Sequence, residues 1–168
     1  MNLEELNVRE RLIKAGRKEF LRCGYEKASM RCISSIAEVS TGAIYFFFRN
    51  KADFFENIVG DTASALKILI CEFTKSEIAK TATSAENDRK LIIFLFEHKE
   101  ETRILLECSK GTAYENFRDE ICELLEEAFM AFYHDMGGTK KDESLVKIVV
   151  RMRICGYFEL MNGDYTME

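Results

Sequence analysis

The sequence predicts an all-α fold, and three features of composition and pattern carry that prediction. The 168 residues include no proline and only nine glycines, so few positions interrupt a helix. Apolar side chains recur every three or four residues along most of the chain, which is the spacing of one helix face. With 47% hydrophobic residues, the chain can also bury a sizeable core. We expect a small helical head, residues 1–52, and a larger helical body, residues 53–168.

The first predicted helix runs from about Glu4 to Cys23 and ends at Gly24, because glycine readily adopts the left-handed backbone that stops a helix. Tyr25 follows in a position to close over this corner. The predicted inward face consists of Leu6, Ile13, Phe20 and Leu21. The outward face is basic and consists of Arg9, Arg11, Lys14, Arg17, Lys18 and Arg22. Such a face is often only solvated, so it does not by itself indicate a partner.

Residues 29–48 have the spacing of two short helices joined by a tight turn near Glu38. Ile44 and Phe48, four residues apart, mark the inner side of the second helix. Ser29 can cap the first helix, and either Ser40 or Thr41 can cap the second. The apolar stripe of the first helix consists of Met30, Ile33, Ile36, Ala37 and Val39. This is a helix-turn-helix pattern, although any helical bundle contains such corners.

The residues in this pattern resemble the DNA-binding domain of the TetR family over roughly residues 7–67. The most specific part is the run VSTGAIY, residues 39–45, followed by Phe48 and by Asn50-Lys51. Earlier matches are Ile13, Ala15, Phe20, Gly24, Tyr25, Ser29-Met30-Arg31, Ile33 and Ala37.

Four residues depart from the family pattern. Glu38 stands where the family usually has the glycine of the turn, and Ser34 where it usually has alanine. Phe46 and Phe47 stand where it often has histidine and tyrosine. The first two bear on how the turn is built. The last two bear on DNA contact, because phenylalanine cannot donate a hydrogen bond to a phosphate.

The resemblance implies that residues 1–52 are a DNA-binding head whose helix-turn-helix places residues 40–47 in the major groove. Arg31, Thr41 and Gly42 would lie nearest the base edges, and Ser29, Tyr45 and Lys51 would bind phosphates. Ser40 and Phe46 complete the predicted DNA-binding set. We expect Phe46 to lean towards the groove and Phe47 to lean towards the core seam.

A long helix is predicted to begin at Lys51 and to reach about Lys80, so it leads from the head into the body. The rest of the body, residues 53–168, is predicted to be helical as well. The chain breaks at Thr81–Asp88, and the next helices are Glu86–His98, Glu101–Ser109, Ala113–Met136 with Thr112 as its cap, and Ser144–Met161. Residues 163–168 look like a loop and the cap of a further helix, so we expect either a truncated C-terminus or a dimer built from fewer elements. The last two long helices are predicted to form a homodimer.

The resemblance also implies an operator in double-stranded DNA and a small-molecule effector that releases the protein from it. Five side chains of the body are candidates for the effector pocket: Phe94, Cys108, Tyr114, Phe117 and Met152. The alternative for each of them is that it simply fills the core.

The charges are unevenly distributed, although the net charge is only -5. Residues 1–52 carry ten Lys and Arg against six Asp and Glu, whereas the body carries fourteen against twenty-three. A basic head on an acidic body fits a phosphate-facing surface at one end.

Several classes of protein are disfavoured. There is no nucleotide-binding, metalloprotease or nucleophile motif, so we expect no enzyme, no cofactor and no metal. The six cysteines lack patterned spacing and are expected to be reduced core residues. No apolar run is long enough for a membrane span, so we expect a cytoplasmic protein. The alternative to a DNA-binding regulator is a TetR-like helical interaction protein that has lost DNA binding, because two adjacent phenylalanines could also suit a protein partner.

Overall fold

The computed structural model describes residues 3–79, 83–163 and 165. Within these residues the chain forms eight α-helices and no strand, which confirms the predicted all-α class. The helices are α1 Leu3–Lys27, α2 Met30–Ile36, α3 Thr41–Phe47, α4 Lys51–Ile78, α5 Ser84–Glu97, α6 Lys99–Glu107, α7 Phe117–Asp135 and α8 Glu143–Asn162. The predicted helix end near Lys80, part of the predicted break at Thr81–Asp88 and most of the predicted loop at 163–168 lie outside the described residues.

The described residues fall into two compact units. The first unit consists of Met1–Ala63 together with Glu100–Phe117, and the second of Ser64–Lys99 together with Arg118–Glu168. The first unit is larger than the predicted head because it also takes the beginning of α4 and the segment around α6. The functional division after residue 52 stays a prediction.

The core of the first unit begins on α1, where Leu12, Ala15 and Phe20 are buried. Phe20 packs edge-on against Phe55 of α4, with 5.0 Å between the ring centroids. The prediction that Leu6 faces inward is wrong, since it is 42% exposed. Leu6 lies six residues before Leu12, which places it well off the buried stripe at 100° per residue.

The corner after α1 is built around Gly24, whose φ of 73° breaks the helical backbone where the sequence predicted a stop. The chain continues as a last turn to Lys27, and the N–H of Tyr25 donates to the carbonyl of Cys108 at 2.9 Å. Tyr25 also packs edge-on against Phe55 at 5.2 Å, which confirms that its ring closes this corner. We call residues 24–28 the first corner.

The helix-turn-helix has the predicted two short helices, and α1, α2 and α3 pack on one another. Met30, Ile33, Ile44 and Phe48 are buried between them, as predicted. Ile36, however, is 43% exposed, so its prediction as an inward residue is wrong. The buried stripe of α2 follows positions 30, 33, 34 and 37, and position 36 lies about 100° away from it.

The later helices begin and end near their predicted positions, except α7. The sequence predicted a helix from Ala113 with Thr112 as its cap, whereas α7 begins at Phe117. The hydroxyl of Thr112 donates to the carbonyl of Ser109 at 2.6 Å and accepts from the N–H of Tyr114 at 3.0 Å. These bonds hold residues 109–116 in turns instead of a helix.

The second unit has an apolar core of its own, which includes Leu66, Ile70, Leu91, Leu95, Ile121, Leu125, Val150 and Ile154. Thr83 and Glu86 form a reciprocal capping box at the start of α5. The six cysteines are all free thiols, but Cys71 and Cys155 are exposed. The expectation that the cysteines fill the core is therefore wrong for these two, and the other four are only half-buried.

Candidate nucleic-acid interface

The exposed face of α3 consists of Thr41, Gly42, Tyr45 and Phe46. These positions lie one above the other on a helix, because residues four apart share a face. Ile44 lies on the opposite face and is fully buried, and Phe48 is buried just after the helix. The first unit therefore holds α3 by one side and presents the other to solvent.

The start of α3 is fixed by Ser40, whose hydroxyl oxygen accepts a hydrogen bond from the N–H of Ala43 at 3.2 Å. Of the two residues predicted as possible caps, the structure uses Ser40, and Thr41 is the first helical residue. Ser29 takes the cap position of α2, but its side chain makes no capping bond there. Both serines are exposed, so their hydroxyl groups remain available to a partner.

The turn between α2 and α3 requires a left-handed residue, and that residue is Glu38, with φ of 55°. The N–H of Val39 donates to the carbonyl of Ser34, and the N–H of Glu38 donates to that of Ser35. This hydrogen-bond pair defines a Schellman helix end, whose left-handed position is usually glycine. The departure at Glu38 thus places a strained residue in the turn.

Ser34, the other departure near the turn, is compatible with burial. Its hydroxyl donates to the carbonyl of Met30 at 2.9 Å, one turn back along α2. This bond satisfies the one polar group that replacing alanine by serine adds to the core.

Lys51 lies on the first turn of α4, and its ammonium group points at the first corner. It donates to the carbonyl oxygens of Tyr25 at 2.8 Å, Ala28 at 3.2 Å and Glu26 at 3.3 Å. It also lies 4.3 Å from the centroid of the Tyr25 ring. An ammonium has three N–H donors, so carbonyl groups occupy them in this arrangement. The phosphate contact implied for Lys51 stays a prediction.

The three consecutive phenylalanines have three different environments. Phe46 is 73% exposed, Phe47 is half-buried and Phe48 is buried. The rings of Phe46 and Phe47 meet edge-on at 5.0 Å. Phe46 and Phe47 are therefore unequal, as predicted, but the fully buried ring is that of Phe48.

Basic side chains lie beside the turn of the helix-turn-helix. Arg11, Lys14 and Lys18 of α1 line a groove of about 140 Å³ together with Ile36 and Glu38. Arg31 at the start of α2 is exposed as well. Sequence reasoning treated the α1 residues as a solvated face, because the pattern did not show that they flank the turn.

A buried carboxylate supports the end of α1. Glu19 is 1% exposed and accepts two hydrogen bonds from Arg22, both at 2.8 Å. The thiol of Cys23 also contacts this carboxylate, at 3.6 Å. The hydrogen bonds from Arg22 hold the pKa of Glu19 below its ordinary value. Sequence reasoning missed Glu19, which looked like one more charge on a polar face.

The five residues predicted for an effector pocket are not gathered at one place within either unit. Tyr114 and Phe117 lie together in the first unit, with 6.0 Å between their rings, and Cys108 belongs to the same unit. Phe94 stacks on His98 in the second unit. Met152 is 69% exposed on α8, which does not fit a residue lining a pocket.

The second unit contains a different candidate, a small cavity lined by Ile70, Phe73, Asn87, Asp88, Leu91, Leu125, Ala128, Phe129 and Tyr157. Its volume of about 20 Å³ has room for a single water. At its polar side the hydroxyl of Tyr157 donates to Asp88 at 2.7 Å, and Arg153 forms an ion pair with the same carboxylate.

Among the described residues, no three histidine, cysteine, aspartate or glutamate side chains are grouped as a metal site would need. None of the described helices combines the length and the apolar character that crossing a bilayer demands.

Residues 12–58 match the sequence profile described as bacterial regulatory proteins, tetR family. The chain is 37% identical to the HTH-type transcriptional repressor BepR of Brucella suis over 57 residues, which are 34% of this chain and 27% of that protein. It is 36% identical to the uncharacterized HTH-type transcriptional regulator YhgD of Bacillus subtilis over 47 residues, or 28% of this chain and 25% of that protein.

The fold is similar to that of a transcriptional regulator from Aquifex aeolicus, with a TM-score of 0.55, 24% identity, and coverage of 92% of this chain and 84% of that one. The sequence matches span about a quarter of the length of the curated relatives. The residues matched by the family profile, 12–58, include the helix-turn-helix. The proteins to which the sequence and the fold are similar are described as transcriptional regulators. Residues 12–58 are thus similar to the TetR family, and the fold of the described residues is similar to that of solved structures of such regulators.

Proposed function

We propose that this chain is a sequence-specific DNA-binding transcriptional regulator, a homodimeric repressor that a small-molecule effector releases from its operator. The observation that carries the proposal is the exposed face of α3, which packing on α1 and α2 holds outward within the residues matched by the tetR profile. A helix held in this way is suited to enter a major groove. A protein that reads chromosomal DNA in a bacterium works in the cytoplasm, which is the location that we propose.

The proposed DNA-contacting residues are the predicted set: Ser29, Arg31, Ser40, Thr41, Gly42, Tyr45, Phe46 and Lys51. All except Lys51 are exposed, which supports their roles. The α1 cations Arg11, Lys14 and Lys18 supply positive charge beside the turn. Arg31 adds an exposed cation at the start of α2.

An unpartnered apolar stripe on α8 supports the homodimer. Leu145, Ile148, Val149 and Met152 are each more than half exposed, and their spacing places them on one face of the helix. A second copy of the chain would cover this stripe and bring two heads to one operator. Half-sites one helical turn apart would then lie about 34–36 Å apart.

The proposed effector site is the cavity in the second unit, which combines an apolar lining with Asn87, Asp88 and Tyr157 at its polar side. Its present volume of about 20 Å³ is far below that of a drug-sized ligand, so binding must open it. An effector that binds only the opened form would draw the protein towards that form and away from DNA.

The decisive experiment is selection of bound duplexes from a random DNA pool, followed by titration of the selected site with the wild type and with Tyr45→Ala and Arg31→Ala. We expect a defined site and weaker binding by both variants. A matched control is Lys147→Ala, a substitution on α8 in the second unit that leaves the helix-turn-helix intact. Failure to enrich any sequence would refute the DNA-binding role and favour the alternative of a protein-interaction module. If a site is selected, small molecules are screened for the ability to release the protein from it.

A further inference from the structure

The face of α3 that the proposed function turns towards DNA has an unusual chemical composition. The helix reads TGAIYFF and contains no arginine, lysine, asparagine, glutamine, aspartate, glutamate or histidine. The side-chain polar groups of its exposed face are two hydroxyls, those of Thr41 and Tyr45. Its most exposed large side chain is Phe46, at 73%.

This composition restricts which bases α3 can recognise. Selection of guanine in the major groove uses arginine or lysine, and selection of adenine uses asparagine or glutamine, in bidentate hydrogen bonds. The helix has none of these side chains. The remaining distinctive feature of the major groove is the apolar 5-methyl group of thymine, which only an apolar surface contacts favourably.

The environment of Phe46 suits such a contact. Its ring meets that of Phe47 edge-on at 5.0 Å, and Phe47 is half-buried beside Phe48, so the exposed ring has a fixed support. Long side chains on a helix lean towards the preceding turn. The preceding turn on this face holds Gly42, where an added Cβ would find only Ser40 Oγ nearby, at 3.8 Å, so the surface beside Phe46 is open.

We infer that Phe46 determines part of the DNA specificity by contacting the 5-methyl group of a thymine in each half-site. This inference rests on the proposed function, because it assigns a base to the surface that would enter the groove. It predicts that the selected operator contains a thymine whose methyl group, and not its hydrogen-bonding edge, is recognised.

The test replaces each thymine of the selected site in turn by deoxyuridine, which removes the methyl group and keeps every hydrogen-bonding group. At one position in each half-site we expect affinity to fall about fourfold for the wild type, and about fifteenfold when both half-sites are changed. Phe46→Ala should bind the thymine and uracil sites equally, whereas Phe46→Leu should keep part of the discrimination.

A second measurement approaches the same methyl group from cytosine. At the sensitive position, replacing thymine by 5-methylcytosine should retain more affinity than replacing it by cytosine, and Phe46→Ala should abolish that difference. Melting temperatures should match for wild type and Phe46→Ala, because the ring is mostly exposed.

The outcomes separate this inference from the function on which it depends. A selected site at which no uracil substitution weakens binding, or at which Phe46→Ala is as sensitive to uracil as the wild type, overturns the inference and leaves the regulator intact. If selection enriches no DNA at all, the inference and the proposed function are both overturned, and the exposed ring of Phe46 is better assigned to a protein partner.

Discussion

The two corners of the helix-turn-helix head solve the same backbone problem with different residues. At the first corner the left-handed position is Gly24, with φ of 73°, and at the turn between α2 and α3 it is Glu38, with φ of 55°. The first corner uses the residue that adopts this backbone without strain, and Lys51 adds three hydrogen bonds to its carbonyl groups. The turn carries a glutamate whose backbone is strained. The unit therefore anchors one corner firmly and leaves the corner next to α3 less stable.

Lys51→Ala is expected to have the largest effect on the difference in stability between the two corners, because it removes the ammonium from the first corner. We expect the free energy of unfolding to fall by about 3 kcal/mol, because charge-assisted hydrogen bonds to part-buried carbonyls are lost together with the contact to the Tyr25 ring. Chemical denaturation measures this. The matched control is Arg49→Ala, which removes an exposed ion pair with Asp53 and should change the stability far less than Lys51→Ala.

The same variant also tests the predicted phosphate contact of Lys51. If the ammonium binds phosphate in the complex, Lys51→Ala flattens the salt dependence of DNA binding by about one unit of slope per site. An unchanged slope beside a large loss of stability would remove Lys51 from the DNA-contacting set and leave it as a support of the first corner.

Glu19→Gln is expected to have the next largest effect, about 2 kcal/mol at neutral pH, because Arg22 loses its charged acceptor. The pKa of Glu19 is lowered in the folded protein by the hydrogen bonds from Arg22. Its contribution is therefore complete above the pKa of an unfolded glutamate, about 4.3, and is lost as the pH falls through the lower folded value. Unfolding followed from pH 7 to pH 2 should show a steeper loss for the wild type than for Glu19→Gln. Parallel curves for the two proteins would contradict this, and the exposed Glu10→Gln serves as control.

Phe47→Ala probes the apolar support of α3 next to the strained turn. A fully buried phenylalanine would cost at least about 3 kcal/mol, and the half-buried ring of Phe47 is expected to cost about 1.5 kcal/mol. Phe46→Ala is its matched control, with little change in melting temperature. Equal melting temperatures for all three proteins would show that Phe47 contributes nothing to the support of α3.

The smallest effects are expected from substitutions at the two left-handed positions, Glu38 and Gly24. Glu38→Gly should raise the free energy of unfolding by up to about 1 kcal/mol, since glycine relieves the strain but gains entropy in the unfolded chain. Gly24→Ala should lower the free energy of unfolding by about 1 kcal/mol, because alanine adopts a positive φ only with strain. Thermal unfolding of both variants and of Glu38→Ala, which removes the charge but keeps the strain, tests this. Stabilisation by Glu38→Ala equal to that by Glu38→Gly would assign the effect to charge and not to the backbone.

Local sequence patterns predicted some features of the structure and missed others. The two short helices, Lys51 as the start of α4 and the burial of Ile44 follow from local periodicity and capping, and they were predicted. The bonds from Lys51 to the carbonyls of the first corner join residues 23 to 26 positions apart, so no local pattern records them. Glu19 and its partner Arg22 are only three residues apart, but their spacing does not show that the carboxylate is buried. The exposure of Ile36 depends on which face of α2 is buried. In a helix of only seven residues, the apolar positions are too few to define that face from the sequence.

The candidate site shows the same limit. Exposure of Thr41, Gly42, Tyr45 and Phe46 agrees with the predicted face, whereas their contacts with DNA stay predictions. The five effector residues were selected by type alone, and type does not say which helix faces meet. That is why a mostly exposed residue such as Met152 could not be separated from a buried one.

The first compact unit is discontinuous along the chain, and this has a consequence for its biosynthesis. Met1–Ala63 leaves the ribosome before the Ser64–Lys99 segment, and only then does Glu100–Phe117 follow. At typical rates of translation this delay is on the order of 2–7 s, much longer than a small helical domain needs to fold. During that interval the N–H of Tyr25 has not yet met the carbonyl of Cys108, its partner at 2.9 Å in the finished fold. The nascent helix-turn-helix thus has time to fold before this hydrogen bond can form, and translation that stops short of residue 108 yields a head without it.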